Sequence, residues 1–67
     1  MRVLIRNAET GLFFRDGPGW TAARMEARDF SHTTEAIEFA IETGLRNVEI
    51  VFSFADPRYD LRLPCRS

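Results

Sequence analysis

Residues 30–44 read FSHTTEAIEFAIETG, and the fold follows from how they are read. At about 100° per residue, counted from Ala36, the side chains of Ala36, Ala40, Ile37 and Ile41 fall in one arc, with Phe39 at its margin. Glu35, Glu38 and Glu42 fall together on the opposite side. This is the period of a surface helix resting on a core. Ser31 or Thr33 offers a side-chain oxygen to the orphan amides at the start, and Gly44 stands where a left-handed residue closes a helix. Phe30, just ahead of the start, is placed to staple the entering chain. The acidic outer face reads as solvated.

Working outward, short alternating segments stand on both sides. Residues 2–6 (RVLIR) put Val3 and Ile5 on one face and Arg2, Leu4 and Arg6 on the other. Residues 7–11 (NAETG) supply Asn and Gly for a turn, and residues 12–15 (LFFR) return as a second strand. There Leu12 and Phe14 share one face, and Phe13 and Arg15 the other. Asp16, Gly17, Pro18 and Gly19 are expected to end that strand. Trp20 then reads as a lid on the edge of the core, and Thr21 as the cap of a short helical stretch over residues 22–27.

Beyond Gly44, residues 48–54 (VEIVFSF) carry the strongest strand signal. Val48, Ile50, Phe52 and Phe54 line one face; Glu49, Val51 and Ser53 line the other. Asp56 and Pro57 mark a turn, and residues 59–63 (YDLRL) alternate again as a short fourth strand. Residues 64–67 read as a fraying tail, so a single domain spans residues 1–63.

The element order is β-β-α-β with a further β, an α+β domain with one main helix on one face of a mainly antiparallel sheet. A right-handed return through the helix places the third strand beside the first, in the order 2-1-3 with the tail at an edge. The expected core is Val3, Ile5, Phe14, Trp20, Phe30, Ile37, Ala40, Ile41, Ile50, Phe52 and Phe54. The face without the helix then carries Arg2, Leu4, Arg6, Phe13, Arg15 and Val51. Three sizeable apolar groups among arginines are expected to be covered by the tail, a second copy or another partner.

Composition narrows the classes. The 67 residues make at most one domain, and a chain this short buries only about 60% of its unfolded surface. One cysteine, Cys65, allows no internal disulfide, and with one histidine it cannot make a structural zinc site. Oligomerisation, most simply a homodimer, is therefore the remaining support for a marginal core. A formal net charge of −1 creates no strong field toward nucleic acid or membrane. No apolar run reaches the roughly 18 residues of a membrane span, and the start lacks a signal-peptide pattern. A cytoplasmic setting is expected, without cofactor or metal.

Chemistry finds little purchase. Asp29, Ser31 and His32 are the residue types of a nucleophile, base and orienting acid, but near neighbours in a chain rarely point into one another as catalysis needs. Gly17-Pro18-Gly19 lacks the Lys-Ser/Thr that ends a phosphate loop. An enzyme is not expected.

The order Gly11-Leu12-Phe13-Phe14-Arg15, Trp20-Thr21, Ala27-Arg28-Asp29-Phe30, Glu35-Ala36 resembles a pattern in uncharacterised small bacterial and phage-encoded ββαβ proteins. Gly19-Trp20-Thr21 with Phe30-Ser31 and residues 35–40 is also similar to part of a small accessory subunit of respiratory complex I. That second likeness spans under half of the chain and is read as convergent, because Phe-Ser before a helix opening Glu-Ala is a common solution to capping. Neither implies a catalytic residue. The expectation is a non-enzymatic protein-binding module, self-associating through the helix-free face or an edge strand. The alternative is a regulator touching nucleic acid through arginines on that face.

Overall fold

A computed structural model describes residues 1–17 and 19–65. One antiparallel sheet holds five strands in the order β3-β2-β1-β4-β5. β1 (Arg2–Asn7) lies at its centre and pairs along its full length with β4 (Val48–Ser53), from Arg2 opposite Ser53 to Asn7 opposite Val48. β2 (Phe13–Arg15) flanks β1 on the other side, with β3 (Gly19–Thr21) outside it. β5 (Leu61–Cys65) lies outside β4. The helix α1 (Thr33–Glu42) packs across one face on β1 and β4. The chain is thus a small α+β domain with one main helix.

Two turns fix the β2 side of the sheet. Asn7 Oδ1 accepts the amides of Glu9 (2.8 Å) and Thr10 (3.0 Å), and Gly11 takes φ +77° to bring the chain back into β2. Residues 16–19 do not end the pairing as expected. Gly17 at φ +99° reverses the chain tightly enough for Gly19 to pair with Arg15, so Gly19–Thr21 becomes a third strand. Pro18 lies outside the described residues. At the other edge β5 continues to Cys65, so Pro64 and Cys65 belong to the sheet and not to a tail; residues 66–67 lie outside the described residues.

The helix starts without either expected cap. Its N-cap residue is His32, with no side-chain capping bond, and Ser31 takes φ +68° while its amide donates to Asp29 Oδ1 at 2.9 Å. Asp29 and Phe30 fix the entry instead: the Val3 amide donates to Asp29 Oδ1 (3.0 Å) and the Phe30 amide to the Val3 carbonyl (2.8 Å). At the far end Gly44 takes φ +69°, and the Leu45 amide closes onto the Ala40 carbonyl at 2.9 Å.

Between helix and sheet lie Val3, Ile5, Phe14, Phe30, Ala36, Ala40, Val48 and Ile50, all buried, with Phe39, Leu45 and Phe52 packed against them. Phe39 is central to this layer, its ring centroid 5.0 Å from Phe14 and 5.2 Å from Phe30. Four expected core residues lie at its margin. Ile37 is 36% and Ile41 58% exposed, and Trp20 and Phe54 are each 37% exposed. The small Ala36 and Ala40 side chains let the helix sit low on the sheet. Phe39 fills the β2 side, which turns Ile37 and Ile41 out along the opposite flank. Trp20 lies on the edge strand, edge-on to Phe14 at 5.7 Å. Phe54 follows the end of β4, where the chain turns away and its amide donates to Asp60 Oδ1.

Candidate functional site

Consecutive burial along a strand shows that both faces of a sheet are covered. Val3, Leu4 and Ile5 are at most 1% exposed, and Ile50 and Val51 at most 2%. Leu4, Phe13 and Val51, expected as an interaction face covered by the tail, a second copy or another partner, are therefore corrected: with Ala27 they form a second buried cluster, closed by another segment of the chain itself. Residues 22–28 fold back over this face. Thr21 starts the segment, accepting the Ala23 amide at Oγ1 (3.0 Å) and donating to Glu26 Oε2 (3.2 Å). A single 3-10 turn, Arg24–Glu26, then carries Arg24 over the Phe13 ring at 5.6 Å. The Arg28 amide returns to the Phe14 carbonyl (3.0 Å).

Arginines act as the latches of this cover. Arg2 donates from Nη1 to the Arg24 carbonyl (2.8 Å) and from Nη2 to the Ala27 carbonyl (2.5 Å). Arg24 donates to Ser53 Oγ (3.2 Å) and pairs with Asp60. Arg6 pairs with Glu49, its cross-strand neighbour, at 2.7 Å. Of the three arginines expected on an open face, Arg2 and Arg6 are engaged within the chain, and Arg15 is exposed at the end of β2. The sequence signal for the cover is the length of residues 16–29, long enough to cross the sheet, with Ala27 small enough to lie flat on it.

The apolar surface that is exposed lies on the helix side. Leu61 and Leu63 stand opposite Phe52 and Ile50, on the face that carries the helix. The helix packs on β1 and β4, leaving Leu61 60% and Leu63 49% exposed. Ile37 and Ile41 leave the helix from the flank opposite Phe39, toward the same β5 side. By the phase of the helix and the register of β5, these four side chains all point toward one margin of the domain, an apolar strip beside half-buried Phe52.

The sheet edges themselves are blunted. β3 is three residues long, and β5 carries Pro64, which has no amide hydrogen to offer. In a sheet a proline sits with its nitrogen toward the open side, so the outer rim of β5 is short of donors for another strand.

Asp29, Ser31 and His32 do not form a relay among the described residues. Asp29 Oδ1 is occupied by the amides of Val3 and Ser31, which hold its carboxyl below the usual range against the opposing effect of burial. Among the described residues no three His, Cys, Asp or Glu side chains group as a metal site would, and no helix is long and apolar enough to cross a membrane. Cys65 ends β5.

No protein-family model matches this chain, and comparison with curated proteins and with solved structures finds no match. The site must therefore be read from its own residues.

Proposed function

We propose that this chain is a small non-enzymatic protein-binding module that associates with a second copy of itself through the strip of Ile37, Ile41, Leu61 and Leu63. The observation that carries this reading is the exposure of those four side chains along one margin of so small a domain. Isolated apolar residues on a surface are ordinary, but a contiguous set is a contact surface by default. None of the four is ionisable, so the strip itself carries no charge into a two-fold contact, which suits a self-complementary interface. The blunted edges favour contact through side chains over addition of a strand. A role at nucleic acid through Arg2, Arg6 and Arg15 is the weaker reading, because two of these guanidinium groups already serve the fold. A cytoplasmic setting accords with the single cysteine.

Sedimentation equilibrium at micromolar concentration tests the proposal. The wild-type chain is expected to dimerise, and Ile41→Glu and Leu63→Glu are each expected to yield folded monomers that melt lower than wild type, since association no longer stabilises the native state. A wild-type monomer throughout, or a dimer indifferent to both substitutions, overturns it.

A further inference from the structure

A second surface feature lies on the opposite side of the sheet, beside the cover formed by residues 22–28. Arg6, Arg24 and Arg62 surround a depression of about 220 Å³, whose remaining lining is Phe13, Val51 and Asp60. We propose that this depression binds a phosphate dianion, free or carried by a small phosphomonoester.

The charge balance singles it out. A larger depression nearby is lined by Arg2, Arg15 and Arg28 against Asp16, Glu26 and Asp29, three charges of each sign. In the smaller one, the three arginines face Asp60 in the lining and Glu49 behind Arg6, so one positive charge is left over. That charge belongs to Arg62, which makes no ion pair among the described residues.

The donors are also held in place. A guanidinium carries five N–H groups. Arg6 uses Nη1 on Glu49, and Arg24 uses Nη1 on Ser53 and Nη2 on Asp60, so each is fixed in position with N–H groups to spare. Their side chains are 25% and 30% exposed, which strengthens a charge-assisted bond over the same contact in open water. Donors converging from β1, from the cover and from β5 suit a tetrahedral oxyanion better than a planar carboxylate, which one arginine satisfies alone. The limited volume, walled on one side by Arg24, favours a terminal phosphate over a continuous nucleic-acid strand.

Amide chemical shifts and titration calorimetry on the full chain test this with three probes: inorganic phosphate, a nucleoside monophosphate, and a single-stranded oligonucleotide without terminal phosphate. Saturable binding of the first two is expected, with shifts centred on Arg6, Phe13, Arg24 and Arg62. Arg62 is exposed, so Arg62→Gln is expected to keep the fold and weaken binding about tenfold, the loss of one charge-assisted bond. Arg15→Gln, in the balanced depression, is expected to leave binding unchanged. Binding of the oligonucleotide alone, no saturable binding of phosphate, or equal binding by Arg62→Gln each overturns the proposal. Because the strip lies across the sheet, Leu63→Glu separates this result from the oligomeric state.

Discussion

The Val3 amide donates to the Asp29 carboxylate at 3.0 Å, and this bond ties the start of the central strand to the entry of helix α1. The same oxygen accepts the Ser31 amide at 2.9 Å, which holds Ser31 in its left-handed conformation. Removing the carboxylate leaves two amides without their partner, at a cost of about 1–3 kcal/mol. Asp29→Ala is thus expected to lower the melting temperature clearly. The pH profile carries the same signature. The backbone amides of Val3 and Ser31 hold the Asp29 carboxyl below the usual carboxylate range, so the unfolded chain binds the proton more readily. The stability this adds is present above the unfolded value and is lost as pH falls through the folded one. Chemical denaturation between pH 6 and about pH 3 is expected to show a loss of stability on acidification that is smaller in Asp29→Ala.

Because Phe13 and Leu4 lie under the chain's own cover, charging them attacks the monomer. Leu4→Glu buries a carboxylate among Phe13, Ala27 and Val51, and is expected to cost upward of about 3 kcal/mol. Arg24→Gln removes the Asp60 pair and loosens the cover without emptying the core. A hydrophobic dye is expected to bind the folded Arg24→Gln protein more than wild type. Equal dye binding and an unchanged melting temperature would show that Arg24 does not hold the cover.

The rotation of the helix separates two substitutions of similar chemistry. Phe39 packs among Phe14 and Phe30, whereas Ile37 lies 36% exposed at the flank. Phe39→Ala is expected to cost about 3 kcal/mol or more, and Ile37→Ala about 1 kcal/mol. Urea denaturation of the two variants checks the order; a larger loss for Ile37→Ala would rotate the helix back to the phase of its simple apolar arc.

Trp20 stands edge-on to Phe14 and is 37% exposed, so one side of its ring meets solvent. Its emission is expected between those of a buried and a free indole, with acrylamide quenching weaker than in the denatured chain. Phe14→Leu is expected to red-shift that emission, because the ring it leans on is gone.

The central architecture is legible in the residues themselves. The apolar pattern of β1 and β4 and a right-handed return through the helix make these two strands neighbours, and Gly44 marks the helix end at φ +69°. Three features escape a reading of local pattern. The Gly17 and Gly19 stretch looks like a terminator, yet glycine is also what a tight hairpin needs, and only the partner strand decides. The apolar arc of the helix is wider than the surface it meets, so the position of Phe14 and Phe30 selects Phe39 over Ile41. The cover over Leu4, Phe13 and Val51 is held by arginines bonding to carbonyls far along the chain, contacts that no spacing in the sequence encodes. The relocation of the candidate contact surface follows from the last two: the reverse face is closed, and the isoleucines expected inside are outside.

The width of the sheet has one further consequence. Strands lie about 4.8 Å apart, so five of them lay a floor about 20 Å across, while one helix with its side chains roofs about 10 Å. On the β2 side, aromatic rings make up the shortfall. On the β5 side the overhang is bare, about one strand wide, and carries Leu61 and Leu63. In the proposed dimer, that uncovered margin of one domain is roofed by the same margin of the other across a two-fold axis.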